Sequence, residues 1–268
     1  MLSILSLYNK LVRKGNSKEY VLYEMDETDS TNLRVREVAQ ANRAAIEQAK
    51  ALAVVLTTDF QTAGRGQGTN TWESERGKNL LFSILVHPSM VPVQSQFLLS
   101  MMGALALKEA LDAYVAEGIT LKWPNDIYWN DKKISGTLIE TSLSAGHIKD
   151  CVFGVGLNVN QASFSDALPN PVSLNQIVGH EVDRGELLEK ILSSFVKYYK
   201  MIEEGSYGDI SALYHEALYR KHGFHTYRDR EGVFEGAIVE VEDNGHLVMR
   251  DREGRIRVYA LKDVQFVI

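Results

Sequence analysis

Hydrophobic positions change period several times along this chain, and each change marks an expected element. Tyr20-Val21-Leu22-Tyr23 is a short alternating run, followed by the polar cluster Asp26-Glu27-Thr28-Asp29-Ser30-Thr31-Asn32. Leu33, Val38, Ala41, Ala45 and Ala49 then recur near helical spacing, which predicts a helix capped by Ser30 or Thr31 with backbone N–H groups free at its start. Ala51 to Thr57 reads as a buried strand, and the glycine-rich segment Gln61 to Trp72 as a long loop. Asn79 to Val86 is a further strand. Residues 95–117 carry so many apolar positions (Phe97, Leu98, Met101, Met102, Leu105, Leu111, Tyr114) that the helix they form must be packed on most sides and back a sheet. Strands are expected around Leu121, at Ile127–Trp129, at Ile134–Thr141 and at Cys151–Asn160, with Asn130-Asp131 as a hairpin turn before the third; two helices at 184–204 and 206–221 follow.

From Gly223 the period shifts to two. Strands at Val233–Val241, Leu247–Arg250, Ile256–Ala260 and Val264–Ile268 are separated by turns at Asp229-Arg230-Glu231-Gly232, Asp243-Asn244-Gly245 and Arg252-Glu253-Gly254, the pattern of a small barrel. The expected architecture is α+β: a mixed sheet with flanking helices in residues 1–222, then an all-β module in residues 223–268 that is too small to be comfortable alone.

Composition narrows the classes. With 268 residues, 45% of them apolar, disorder and disulfide scaffolds are excluded, and the net charge of −6 gives the chain no general attraction for nucleic acid. The apolar opening Met1 to Tyr8 is short for a secretory signal and no apolar stretch reaches membrane-spanning length, so a cytoplasmic protein is expected. The single cysteine, Cys151, falls in a predicted strand and reads as a core residue rather than a nucleophile. His215, His222 and His225 lack metal-site spacing and read as surface or junction residues.

Three segments carry chemistry. Gly64-Arg65-Gly66-Gln67-Gly68 joins close-approach glycines to an arginine able to pair with a carboxylate or phosphate, yet fits neither standard nucleotide loop, and a plain surface loop explains it equally well. Lys122-Trp123-Pro124-Asn125-Asp126 places a cation, an amide and a carboxylate between two strands; developing charge and magnesium both suit that set, while a packed strand break is the blander reading. Gly154-Val155-Gly156-Leu157-Asn158 ends a strand with room and an amide, and Trp72 either stacks on a purine or fills the core.

Together with Ser30-Thr31-Asn32 and the block Lys133 to Glu140 (Lys-Ile-Ser-Gly-Thr-Leu-Ile-Glu), these segments resemble biotin–protein ligases, the biotin–[acetyl-CoA-carboxylase] ligase family, from about Tyr20 to the C-terminus. The resemblance implies a catalytic fold related to class II aminoacyl-tRNA synthetases with an SH3-like barrel behind it. It implies ATP, Mg2+ and biotin as ligands, biotinyl-5′-AMP as intermediate, and a lysine of a biotin carboxyl carrier protein as acceptor. Carried over by motif, Ser30, Thr31, Asn32, Gln61 and Gly136 bind biotin, Gly64, Arg65, Gly66 and Gln67 cover its carboxylate, and Lys122 is the principal electrostatic catalyst beside Arg65. Trp72, Asn125, Asp126, Lys133 and Asn158 serve ATP, with Asn125 and Asp126 near the magnesium.

The covering loop departs from well-known members, which have Gly-Arg-Gly-Arg-Arg-Gly-Arg where this chain has Gly64-Arg65-Gly66-Gln67-Gly68-Thr69-Asn70. Three arginine positions are uncharged, so weaker retention of the adenylate is expected. Only 29 residues precede Ser30, and a monofunctional ligase without the winged-helix DNA-binding domain of bifunctional members is expected. No specific DNA or membrane partner is expected, and a homodimer stays open. The rival readings are a lipoate–protein ligase or octanoyl transferase, and a biotin-sensing protein without catalysis.

Overall fold

A computed structural model describes residues 12–16 and 19–268, and the apolar opening Met1–Tyr8 lies outside them. In chain order the strands are β1 (Val12–Asn16), β2 (Tyr20–Thr28), β3 (Ala53–Gln61), β4 (Leu80–Val86), β5 (Ile119–Lys122), β6 (Asp126–Trp129), β7 (Lys132–Ser144), β8 (His147–Leu157), β9 (His225–Asp229), β10 (Gly232–Val241), β11 (Leu247–Asp251), β12 (Ile256–Tyr259) and β13 (Gln265–Phe266). The helices are α1 (Thr31–Ala41), α2 (Arg43–Ala49), α3 (Phe97–Asp112), α4 (Leu174–Val178), α5 (Arg184–Glu203) and α6 (Tyr207–Glu216). They divide into two compact units, Met1–Met90 with Ile134–Lys190, and Val91–Lys133 with Ile191–Ile268.

In the first unit the strands run in the order β1-β2-β3-β4-β8-β7. Only β2 and β3 are parallel; the other neighbours pair antiparallel. A parallel pair needs a crossover, and α1 with α2 supplies it. The single helix expected from the alanine spacing is broken at Asn42, whose side-chain amide donates to the Val38 carbonyl at 2.9 Å and competes with the helical ladder. The stripe is also displaced: Leu33 is 46% exposed, and Val35 and Val38 face the core formed by Val21, Tyr23, Met25, Val54, Leu56, Leu85 and Val152. Every residue of β4 is buried, as a central strand covered on both faces requires.

The second unit contains α3, shorter at both ends than expected, with most of its surface buried and its contacts on β5, β6 and α6. The last expected helix stops at Glu216 instead of 221. Leu121 N–H donates to the Ala217 carbonyl at 2.8 Å and Tyr219 N–H to the Leu121 carbonyl at 2.9 Å, so the Ala217 carbonyl and the Tyr219 N–H bond to β5 instead of continuing the helical ladder. The five C-terminal strands form one antiparallel sheet in the order β12-β11-β10-β9-β13, in which β9 is a strand the alternation did not single out. Its polar ends are tied by Arg257, whose guanidinium meets Asp229 at 3.1 Å and Asp251 at 2.9 Å.

Cys151 is fully buried in β8, and burial pushes its thiol far above the usual range, so it offers no nucleophile. His215 accepts from Val241 N–H at 2.8 Å through Nε2, and its Nδ1 lies 2.7 Å from the Ser211 carbonyl, which makes it a junction residue as read. Among the described residues no helix is long and apolar enough to cross a membrane.

Candidate functional site

The first group of site residues gathers where β2 turns into α1. Asp29, not Ser30 or Thr31, secures the turn: it accepts from Ser30 N–H at 2.7 Å and takes a two-point contact from Arg34 at 3.0 and 2.7 Å. Burial pushes the Asp29 carboxyl upward, but the Arg34 contact and the Ser30 N–H outweigh it and hold the group below its ordinary value. Ser30 makes no side-chain capping bond. The Thr31 N–H expected to be free is taken by Gln61, whose Oε1 accepts from Thr31 N at 2.8 Å and Thr31 Oγ1 at 3.1 Å.

Asn32 is the most constrained member. Its Oδ1 accepts from the Ser83 hydroxyl at 2.6 Å, and its Nδ2 donates to the Leu138 carbonyl at 3.2 Å and to Glu140 at 3.1 Å. Ser83 Oγ also lies 2.8 Å from Thr31 Oγ1. Beneath the amide lies Gly154, directly opposite Ser83 in the β4–β8 register, where an added Cβ would stand 1.8 Å from Asn32 Oδ1. Glu140 continues the chain of contacts by gripping Arg65 at 2.9 and 3.3 Å. Thus Gln61, Thr31, Ser83, Asn32, Glu140 and Arg65 form one polar network on a glycine floor.

The loop after β3 is a closed hairpin rather than an open excursion. Gly66 N–H donates to the Asn70 carbonyl at 2.8 Å, Trp72 N–H donates to the Gly64 carbonyl at 3.0 Å, and Arg65 pairs with Thr71. Gly64 is required, since a Cβ there would meet the Trp72 carbonyl at 2.4 Å. Arg65 and Gln67 belong to this exposed or half-buried hairpin. Trp72 lies flat enough on Gly156 that a Cβ would come within 2.2 Å of its ring. Gly136 stands opposite Gly156 in the β7–β8 register. Asn158, just past β8, is buried and commits its Nδ2 to the Val172 carbonyl at 3.2 Å.

The second group lies in the other unit, at the β5–β6 corner. Trp123 is 3% exposed; its indole N–H donates to the Gly245 carbonyl at 2.9 Å, and the Pro124 carbonyl accepts from Tyr214 at 3.2 Å. The Trp-Pro pair is therefore a packed corner, and it presents Lys122, Asn125 and Asp126 at fixed positions around it. Lys133 pairs with Asp126 at 2.8 Å. Lys122 has no carboxylate at ion-pair distance among the described residues, and its Nζ sits over the rings of Tyr128 and Phe266. Burial lowers its proton affinity, Asp126 opposes that, and Lys133 and Arg220 add to it. Of the three cations singled out in the sequence, Arg65 and Lys133 are paired with carboxylates and Lys122 is not.

Asn125 and Asp126 offer an amide oxygen and a carboxylate, the hard donors that Mg2+ takes when substrate phosphates complete its shell, so the residues fit the ion. Among the described residues no cluster of three or more His, Cys, Asp or Glu could hold a metal without such help.

Two network members, Ser83 and Glu140, were given no role from the sequence. Ser83 did carry a signal: it is the one polar residue in the run Leu80-Leu81-Phe82-Ser83-Ile84-Leu85-Val86, and a buried hydroxyl must find a partner. Ser83→Ala leaves the Asn32 side-chain oxygen without its donor; on the biotin role that the resemblance gives Asn32, the change is expected to weaken biotin binding about tenfold with little change in turnover, measured by calorimetry and steady-state kinetics.

Residues 27–158 match the model of the biotin/lipoate A/B protein ligase family. The chain is 29% identical over 245 residues to the bifunctional ligase/repressor BirA of Bacillus spizizenii, spanning 90% of this chain and 73% of the relative. It is 28% identical over 241 residues to the biotin–[acetyl-CoA-carboxylase] ligase of Paracoccus denitrificans, spanning 85% and 93%. Among solved structures, the biotin protein ligase of Aquifex aeolicus in complex with biotin and ATP aligns with a TM-score of 0.73 at 26% identity, over 92% of this chain and 99% of that one. The mixed sheet with its helices matches that fold. Residues 27–158 thus carry the pattern of a biotin/lipoate A/B protein ligase domain, and over most of its length the chain is similar to biotin protein ligases.

Proposed function

We infer that the protein is an ATP-dependent biotin protein ligase. The observation that carries this reading is the likeness, across nine-tenths of the chain, to a ligase solved with biotin and ATP, and the Asn32 network on its glycine floor gives that likeness chemical content.

In the first half-reaction a biotin carboxylate oxygen forms a bond to the α-phosphorus of ATP, and pyrophosphate leaves. A carboxylate is a weak nucleophile approaching a polyanion, so the protein must supply positive charge and exclude water. Thr31, Asn32 and Gln61 present fixed amide and hydroxyl groups suited to the ureido ring, with Ser30 and Gly136 beside them. Gly64, Arg65, Gly66 and Gln67 cover the carboxylate, for which Arg65 exchanges Glu140. Lys122 offsets charge as it grows on phosphorus. Trp72 stacks on adenine, Asn158 supports that end, and Lys133 meets phosphate. Asn125 and Asp126 would hold a Mg2+ ion that arrives with ATP, and the ion would neutralise phosphate charge. In the second half-reaction the neutral amine of an acceptor lysine attacks the acyl carbon, AMP leaves with the electron pair of the broken bond, and the amine loses its proton.

Several finer features belong to the same proposal. Residues 1–222 act as the catalytic domain and 223–268 as an SH3-like barrel. The acceptor is a biotin carboxyl carrier protein or domain, and the site of action is the cytoplasm. The net charge of −6 argues against DNA as a partner.

Biotin-dependent exchange of labelled pyrophosphate into ATP tests the reading. Exchange is expected with biotin and not with lipoate or octanoate, followed by transfer to an apo carrier domain. Exchange driven by lipoate alone would move the chain to the lipoate branch, and biotin binding without exchange would make it a sensor.

A further inference from the structure

Lys122 is held in an unusual way for a lysine assigned to charge stabilisation. Its Nζ lies 4.8 Å from the ring centroid of Phe266 and 5.1 Å from that of Tyr128. Asp126, the nearest acid along the chain, is engaged by Lys133 instead. The two rings are themselves fixed. Tyr128 leans on Tyr219 at 5.3 Å, while Phe266 stacks on Tyr219 at 6.1 Å and meets Tyr227 edge to face at 4.9 Å. Phe266 is 8% exposed and comes from β13, the last strand of the C-terminal sheet.

A ring face attracts an ammonium through its quadrupole but carries no charge and no lone pair that the cation must be pulled away from. A carboxylate in the same place would neutralise the lysine, and a reacting anion would first have to displace it. Aromatic walls also exclude water, which strengthens any later contact between the ammonium and an oxyanion. The arrangement keeps the charge in place and leaves it available.

We propose that Phe266 and Tyr128 are positioning residues for Lys122 in adenylation, so that the C-terminal sheet takes part in the chemistry through the face of one phenyl ring. The role rests on the ligase reading, but the cage itself can be tested apart from it.

Phe266→Leu removes the π face and keeps most of the apolar volume; Phe266→Tyr keeps the face. In the full-length protein, Phe266→Leu is expected to lower the turnover of biotin-dependent pyrophosphate exchange about tenfold, with the biotin KM within about twofold, while Phe266→Tyr stays near the parent. Tyr128→Leu and Tyr128→Phe should repeat the contrast. Equal losses in the Leu and Tyr variants, or no loss in Phe266→Leu, overturn the proposal.

Titration of the Lys122 ammonium by 15N NMR gives a readout independent of activity. Asp126, Lys133 and Arg220 are unchanged in the variants, and Leu keeps water out, so loss of the ring face should lower the proton affinity of Lys122 further, about tenfold. An unmoved or raised midpoint overturns the cage. Absence of exchange in the parent protein with a lowered midpoint in Phe266→Leu would sink the enzymatic role and leave the cage standing.

Discussion

Replacing Lys122 with alanine is expected to reduce biotin-dependent adenylation by ~10²–10³ while biotin binding stays measurable. The size follows from its lack of an ion-pair partner among the described residues. Arg65 is gripped by Glu140 and Lys133 by Asp126, so neither cation can answer new negative charge without first leaving a partner. Lys122 has no such partner among the described residues, and burial makes its field stronger than that of a solvated ammonium. The protonated form is the working one, and its proton affinity is depressed. Activity should therefore fall on the basic side at a pH below that of an ordinary lysine, with the alanine variant lacking this limb. Pyrophosphate exchange followed across pH, beside calorimetric titration with biotin, provides the check. Adenylation within a few-fold of the parent would remove Lys122 from this role.

Gly154→Ala is expected to raise the biotin dissociation constant by roughly 10–100-fold. A methyl group at this position would sit 1.8 Å from Asn32 Oδ1. The end of a side chain can often swing aside at little cost, but this amide is fastened by Ser83, Leu138 and Glu140. Moving it gives up those bonds and carries the Glu140 carboxylate, and with it Arg65, out of position. Gly156→Ala meets the Trp72 ring instead and should act on ATP rather than biotin. The two alanine variants thus separate the ligands, as KM values for biotin and ATP would reveal. An unchanged biotin affinity in Gly154→Ala would mean that Asn32 does not contact the ligand.

Long apolar patterns were legible in the sequence because the period of a buried face is written in the segment's own residues. The strand at Asn79–Val86, the apolar helix within 95–117 and the alternating C-terminal strands all appear within a few residues of where they were expected. Two of the helix-end differences share one cause, competition from distant or side-chain groups. Asn42 broke a helix with its own amide, and β5 drew Ala217–Tyr219 out of another. At the candidate site, motif residues such as Asn32 and Lys122 stood out by their chemistry, whereas the groups that fix them did not. Ser83 was one hydroxyl in an apolar strand, Glu140 ended the block from Lys133 without a task, and Phe266 was not singled out within its strand. Each acquires meaning only once a residue far away in sequence is folded onto it.

Gly154 and Gly156 lie two residues apart on β8 and therefore open the same face of the strand, one beneath Asn32 and the other beneath Trp72. On the proposed roles, the anchor for biotin and the platform for adenine are spaced by one strand repeat, about 7 Å. Such a spacing is quantised. Shifting β8 by one residue would turn both glycines to the opposite face, and shifting it by two would move the pair by a whole step. On those roles the strand acts as a caliper, and the step between the Asn32 anchor and the Trp72 platform follows the backbone repeat.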